Sequence, residues 1–515
     1  MTDPAGPWAV AGAVVADAWR ALHSASAAVP AGVWALVYAL WIIGSVVYLL
    51  LQRRSPSATL AWLIGFLSLP LVGFLVYWFF GPRKLRRRRL RRQLAKRLAA
   101  TLTPQASATM PRTLASRQWL GALARVGTSQ GDAPPRPAHR VFLLDGGDAT
   151  YARIAKAIRR ARRQIHLEYY IFEPGDIGTR LRDLLVARAR DGIAVRVVVD
   201  AIGSKRAGDR FWRTLVEAGG EVRRFNPPRP WRLAPSDINF RTHRKIVIVD
   251  GVHAFTGGIN VSDGNSSLSA GSSAWRDTHL EIVGAPAIDL QVVFLEDWLF
   301  AGAEDTGWRQ RDQALLDTPE DIGRWFPSIP APSDDAPWVQ IIDSGPDEAT
   351  PDIQRFLFTA IASARRRLWI TTPYFVPDES VLTALVTARA RGVDVRLIVP
   401  ERGDSRIVSA AASTFAEEAA AEGVAVYRYG PHMIHAKTLV VDDELAIVGT
   451  ANLDNRSFRL NFEVIAAVYD TGLTARLAAQ FERDLAHARP ISPRETQPWM
   501  WRLLASAARL AAPLL

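Results

Sequence analysis

The 515-residue chain has no cysteine, so disulfide scaffolds, thiolate metal sites and cysteine nucleophiles are excluded. Lysine is scarce as well: six of the 63 basic residues, the others being arginine. Net positive charge is thin outside one stretch. Arg83 to Arg97 carries ten basic residues and no acidic one, and setting them aside lowers the net charge from +12 to +2. A protein that follows nucleic acid carries its positive charge around its site. The near-neutral remainder here points away from a nucleic-acid partner. Carboxylate clusters with Mg²⁺ or Zn²⁺ spacing are missing too, so the sequence suggests no metal and no cofactor.

Against this scarcity two strings stand out. His243-Arg244-Lys245-Ile246-Val247-Ile248-Val249-Asp250 and His435-Ala436-Lys437-Thr438-Leu439-Val440-Val441-Asp442 both read H-x-K-x-x-x-x-D. Each is followed by Gly and Asn at matching offsets, Gly257 and Asn260 in one case, Gly449 and Asn452 in the other. Composition alone predicts on the order of 0.01 such strings in a chain of this length, so the pair is not coincidence. Both keep lysine, a compact point charge, in a chain that otherwise uses arginine. Read as strands, period 2 puts His243 with Lys245, and His435 with Lys437, on one face. An imidazole beside an ammonium suits a phosphate: one group attacks or protonates, the other neutralises charge.

Two long uncharged runs precede the basic stretch, Val33 to Leu51 and Ala58 to Phe80. Each is long enough to cross a hydrocarbon core of ~30 Å as a helix, so residues 31–82 are expected to form a two-helix transmembrane hairpin. Residues 1–30 read as an apolar lead-in, and 83–135 as a basic juxtamembrane segment and linker. By the positive-inside rule the ten charges place everything after them in the cytoplasm, giving a multi-pass protein of the inner membrane.

Beyond the breaker Gly131 to Pro137 the chain repeats itself. Helix, strand, helix and strand signals recur at about 200-residue spacing, with Ala187-Arg188-Ala189-Arg190 before Gly192 echoed by Ala388-Arg389-Ala390-Arg391 before Gly392. This predicts an α/β fold of two duplicated sandwich domains, 136–320 and 321–497. The segment 226–242 is longer than its counterpart before His435 and is a candidate lid or a passive loop. The tail, 498–515, reads as an amphipathic helix, on the membrane or docked on the core, the membrane being favoured.

The two strings resemble those of the phospholipase D superfamily. With Thr371-Thr372-Pro373-Tyr374-Phe375-Val376-Pro377-Asp378, Trp275-Arg276-Asp277-Thr278-His279 and Asn452-Leu453-Asp454-Asn455-Arg456-Ser457-Phe458, the wider pattern is similar to bacterial cardiolipin synthases. That resemblance implies transfer of a phosphatidyl group between two phosphatidylglycerols, giving cardiolipin and glycerol through a phosphohistidine. One histidine attacks, His243 being the choice here, and His435 serves as acid and then base. Lys245 and Lys437 neutralise the phosphoryl oxygens, and Asn260 and Asn452 donate to them. Glu463 and, in the first half, Asp277 orient the histidines. Asp250 and Asp442 complete the motif and are expected to lock strand ends. Thr242 replaces the family's usual Asn, and Gly258 stands opposite Thr450, whose hydroxyl is a candidate phosphate ligand. A hydrolytic phospholipase D, phosphatidylethanolamine as second lipid, and a non-catalytic lipid binder are the alternatives.

Overall fold

The computed structural model describes residues 30–51, 56–80, 118–128, 133–228, 239–302, 323, 325–330, 332–348, 350–491, 499–510 and 512. The lead-in, the basic run, residues 229–238 of the long loop and 303–322 of the inter-domain link lie outside the described residues. The chain divides into two units, Met1–Arg83 and Lys84–Leu515.

In the first unit α1 (Ala31–Leu50) is uncharged throughout. Its 19-residue stretch Gly32–Leu50 is the one helix among the described residues long and apolar enough to span a membrane. The second expected span is not a single helix. It breaks into α2 (Pro56–Ser68) and α3 (Pro70–Phe80) at Leu69. Pro70 has no N–H to donate and disfavours a helical residue before it. The chain then doubles back: the Trp62 and Tyr77 rings are 5.0 Å apart and those of Phe66 and Tyr77 5.3 Å, where a straight helix would separate residues 62 and 77 by about 22 Å. Gly65 and Gly73 make the fold possible, since a Cβ on Gly73 would strike the Gly65 carbonyl. The expected hairpin of two spans is therefore one span-length helix plus a folded-back pair.

The second unit is built on two copies of a seven-stranded motif. The first half supplies β1 (Arg136–Asp145), β2 (Gln164–Tyr169), β3 (Ala194–Asp200), β4 (Glu221–Phe225), β5 (Lys245–Val249), β6 (His253–Gly257) and β7 (Thr278–Gly284). The second supplies β8 (Trp338–Ser344), β9 (Arg367–Thr371), β10 (Asp394–Pro400), β11 (Ala425–Tyr429), β12 (Thr438–Val441), β13 (Leu445–Gly449) and β14 (Asn461–Tyr469). Their order in the sheet is β11-β10-β9-β12-β13-β14-β8-β1-β7-β6-β5-β2-β3-β4. It reads the same from either end when halves are exchanged, and the pseudo-twofold passes between β8 and β1, which pair at Arg136–Val339 and Pro137–Trp338. The duplication and the mixed α/β fold match expectation. β2 ends at Tyr169, where Tyr170–Phe172 turns away and Phe172 bridges to Val261.

Each half has its own outer core, one around Ile165, Leu185 and Val197, the other around Leu368, Leu385 and Leu397. A third core is shared. There Ile246, Ile248 and Trp298 of the first half are buried with Val440, Val464 and Phe481 of the second. Its helices are α4 (Pro286–Gly302) and, later in the chain, α6 (Thr471–Leu485), with α5 (Arg406–Ala421) between them in sequence. The shared core fixes the two halves face to face, and both motif strings meet across it.

Candidate active site

His243 and Arg244 form a short extended arm just before β5, as His435, Ala436 and Lys437 do before β12. Each arm is held by the other half. The His243 amide donates to the Phe462 carbonyl at 2.8 Å, and the His435 amide to the Arg276 carbonyl at 2.7 Å. The next residue on each gripping segment is a carboxylate. Glu463 accepts from His243 Nδ1 at 2.9 Å, and Asp277 from His435 Nδ1 at 2.8 Å. Both expected carboxylates thus orient a motif histidine, but they are exchanged between halves. Fixing Nδ1 as the protonated nitrogen leaves Nε2 of each ring for chemistry.

The lysines lie under their own histidines. Lys245 Nζ donates to the His243 carbonyl at 2.7 Å, and Lys437 Nζ to the His435 carbonyl at 2.5 Å. All four groups are buried, His243 being the most exposed at 7%. Burial lowers both histidines to about 4, Lys245 to about 7 and Lys437 to about 8. Burial alone would raise the two carboxylates, but His243 and Lys245 hold Glu463 below its usual range, and His435 and Lys437 hold Asp277 below its own. The resting site therefore has two neutral imidazoles, two ionised carboxylates and two easily discharged ammoniums, an arrangement that a phosphate anion would complete.

Asn260 and Asn452 are buried as well. Asn260 Oδ1 accepts from the Ile171 amide at 3.3 Å, and Asn452 Nδ2 donates to Asp454 at 3.0 Å. Thr450 is placed differently from expectation: its hydroxyl donates to Glu463 at 2.5 Å and accepts from the Val464 amide at 2.9 Å. It braces the carboxylate and has no free bond for phosphate. Gly258 explains its own lack of a side chain, because a Cβ there would collide with the Asp277 carboxylate. Among the described residues no group of three or more His, Cys, Asp and Glu has the geometry of a metal site.

A domain family described as "Cardiolipin synthase, PLD-like domain" matches residues 154–278 and 357–485, and one described as "Phospholipase_D-nuclease N-terminal" matches 39–82. Cardiolipin synthase 1 of Bacillus cereus is 36% identical over 496 residues, covering 94% of this chain and 94% of its own. The chain belongs to the cardiolipin synthase family. Cardiolipin synthase of Geobacillus thermodenitrificans is 38% identical over 472 residues, with 90% of each chain covered. The crystal structure of phosphatidylserine synthase from Haemophilus influenzae shares the fold, with a TM-score of 0.56 at 16% identity over 76% of this chain and 100% of that one.

The family motif's aspartates sit at the far ends of their strands. Asp250 accepts from the amides of Arg162, Arg163 and Gln164, and Asp442 from those of Arg365, Arg366 and Arg367. Both have left-handed backbones, with φ of 54° and 50°. They lock strand ends, about 16 Å along the strand from the lysines. Asp442→Ala should cost about 2–3 kcal/mol, read as a lower thermal midpoint with activity per folded molecule unchanged. Loss of activity without loss of stability would place Asp442 in the chemistry.

Several residues shape this site through contacts that the sequence does not show. Arg244 is fully buried, pairs with Asp297 and Asp343, and donates from Nε to the Glu463 carbonyl at 3.1 Å. Ala436 stands in its place in the second half. Thr242 donates to Glu168 at 2.5 Å. Tyr170 meets the His243 ring edge-on at 5.0 Å, and Trp275 leans on His435 at 5.2 Å. Tyr374, which the repeat sets opposite Ile171 and not Tyr170, lies 6.4 Å from His435.

The buried lysines set the pH dependence. An ammonium is lost as pH rises through its pKa, so kcat/KM should fall on the alkaline side as Lys245 at about 7 and Lys437 at about 8 discharge. The acid limb should lie near 4, where the histidines take up protons. A profile of kcat/KM, which reports the free enzyme, checks this; a flat response from neutrality to pH 10 would contradict the role of the lysines.

Proposed function

We propose that the protein makes cardiolipin from two phosphatidylglycerols by a two-step transfer, without metal. The carrying observation is the pair of histidines, each oriented through Nδ1 by a carboxylate of the opposite half and each underlain by a buried lysine. His243 Nε2 attacks the first phosphorus, the P–O bond to glycerol breaks, and His435 gives the glycerol oxygen its proton. The glycerol hydroxyl of a second phosphatidylglycerol then returns a proton to His435 and attacks the phosphohistidine. The P–N bond breaks and cardiolipin leaves. The phosphate anion itself raises His435 from its low resting value, which supports its use as the acid. Lys245, Lys437, Asn260 and Asn452 surround the phosphoryl oxygens.

His243 is given the attacking role because its carboxylate is the more heavily braced, by Thr450, Asn461 and the Arg244 contact to its backbone. The membrane-spanning α1 and the basic run from Arg83 support a membrane enzyme with its catalytic unit in the cytoplasm. The test is the full-length protein in detergent with phosphatidylglycerol as the only lipid and no metal. Cardiolipin and glycerol in equal amounts are expected. Phosphatidic acid alone would make the protein a hydrolase, and product only after adding phosphatidylethanolamine would change the second lipid.

A further inference from the structure

The last described helix, α7 (Trp499–Leu510), does not lie free. It packs along α5, where Ala505 is completely buried, Arg509 pairs with Glu418 at 2.7 Å, and the Arg509 guanidinium sits 4.2 Å over the Phe415 ring. Docking uses only one face. On the other, Met500, Leu503, Leu504 and Leu510 are between 58% and 84% exposed. Their spacing of three, one and six residues keeps them on one stripe of a helix. On the neighbouring α5, Ile407 is 61% exposed.

The position of this stripe gives it meaning. Just past α7, the Ala512 carbonyl accepts from Asn455 Nδ2 at 3.2 Å. Asn455 is three residues beyond the site residue Asn452. At the start of α5, Asp404 accepts from the Tyr374 hydroxyl at 2.6 Å, and Tyr374 faces His435. Residues flanking the two helices thus bond to neighbours of the site, Ala512 to Asn455 and Asp404 to Tyr374. Arg402 and Arg406 are exposed beside Asp404. The apolar stripe and these basic side chains are carried by two packed helices whose ends reach residues next to the site.

We propose that this α5–α7 face is a lipid-surface contact of the catalytic unit, seating Met500, Leu503, Leu504, Leu510 and Ile407 among acyl chains and Arg402 and Arg406 among anionic headgroups. The inference rests on the reading that the site acts on phospholipids. A diacyl lipid whose head enters the site leaves its chains outside, and an apolar lip there removes the need to lift it clear of the bilayer. Membrane binding of such a helix grows with buried apolar area and with attraction of basic residues to anionic lipid.

Because the chain has no cysteine, a single one can be labelled. The full-length Leu504→Cys protein, carrying an environment-sensitive fluorophore, is placed in phosphatidylglycerol vesicles, with Asp183→Cys as reference on the first half. Asp183 is 59% exposed. Quenching of the label at 504 by nitroxides on the acyl chains, and protection from aqueous iodide, are expected, with the reverse at 183. Equal iodide quenching at both positions overturns the proposal. So does protection at 504 that depends on protein density and not on lipid nitroxide, which would mean a second copy covers the face. Leu503→Glu with Leu504→Glu should lower kcat/KM on vesicles roughly ten-fold or more and leave turnover of monomeric short-chain phosphatidylglycerol unchanged. Equal loss on both substrates in a folded variant counts against the lip. Lipid quenching at 504 in a protein that makes no cardiolipin would leave the contact standing and refute only the reaction.

Discussion

His243→Ala and His435→Ala are each expected to reduce phosphatidyl transfer by about 10³-fold or more, because each ring performs a step that no other group in the site performs. The two variants should differ in what they still do. A phosphatidyl ester with a phenolate leaving group needs no proton on departure. With that donor, His435→Ala should still load phosphatidyl onto the protein and then stall, since nothing deprotonates the incoming alcohol. His243→Ala should take up no label. Mass analysis of the trapped adduct, or its lability in acid and survival in base, identifies a phosphohistidine. Label on His435 in the His243→Ala protein would reverse the roles, and near-normal turnover by either variant would dissolve the shared site.

Glu463→Gln should produce the same stalled loading step as His243→Ala, with transfer down by about 10²- to 10⁴-fold. Glu463 lies 28 positions after the other histidine, yet its carboxylate is 2.9 Å from His243 Nδ1. An amide there can no longer hold Nδ1–H as the fixed tautomer. Asp277→Asn should instead resemble His435→Ala: the phenolate ester loads, and turnover stops. The crossed pattern is the informative outcome. If Glu463→Gln blocked the His435 step and Asp277→Asn the His243 step, the exchange of carboxylates would be wrong.

That exchange marks where reading the sequence stops. The two strings, their lysines and the repeat around them were legible because they are local. Asp250 and Asp442 were legible as strand locks for the same reason, each binding three successive amides of a neighbouring turn. The pairing of Glu463 with His243 spans 220 residues and depends on where β14 sits in the sheet, next to β8 and against the arm at Arg241–Thr242. Spacing along the chain carries no trace of that. The Thr450 contact is of the same kind: a hydroxyl near a phosphate site reads as a ligand, and its bond to Glu463 shows only in the fold. In the membrane unit, hydropathy measured the length of the run from Ala58 to Phe80 but not its direction, which reverses at Pro70. The tail helix was legible as amphipathic; its docking on α5 was the less favoured of the two placements.

The crossed grip has a consequence for descent. A single ancestral repeat would carry a histidine, a lysine and a carboxylate, but its carboxylate would point away from its own histidine. It would need a second copy of itself, related by a twofold axis, before either imidazole was set. Joining two copies in one gene would remove the dependence on finding a partner and free the copies to diverge. Gly258 against Thr450, Asp277 against Glu463 and Arg244 against Ala436 are such divergences. In the proposed reaction they would let two histidines of the same type take opposite parts, which a strictly symmetric pair could do only by taking turns.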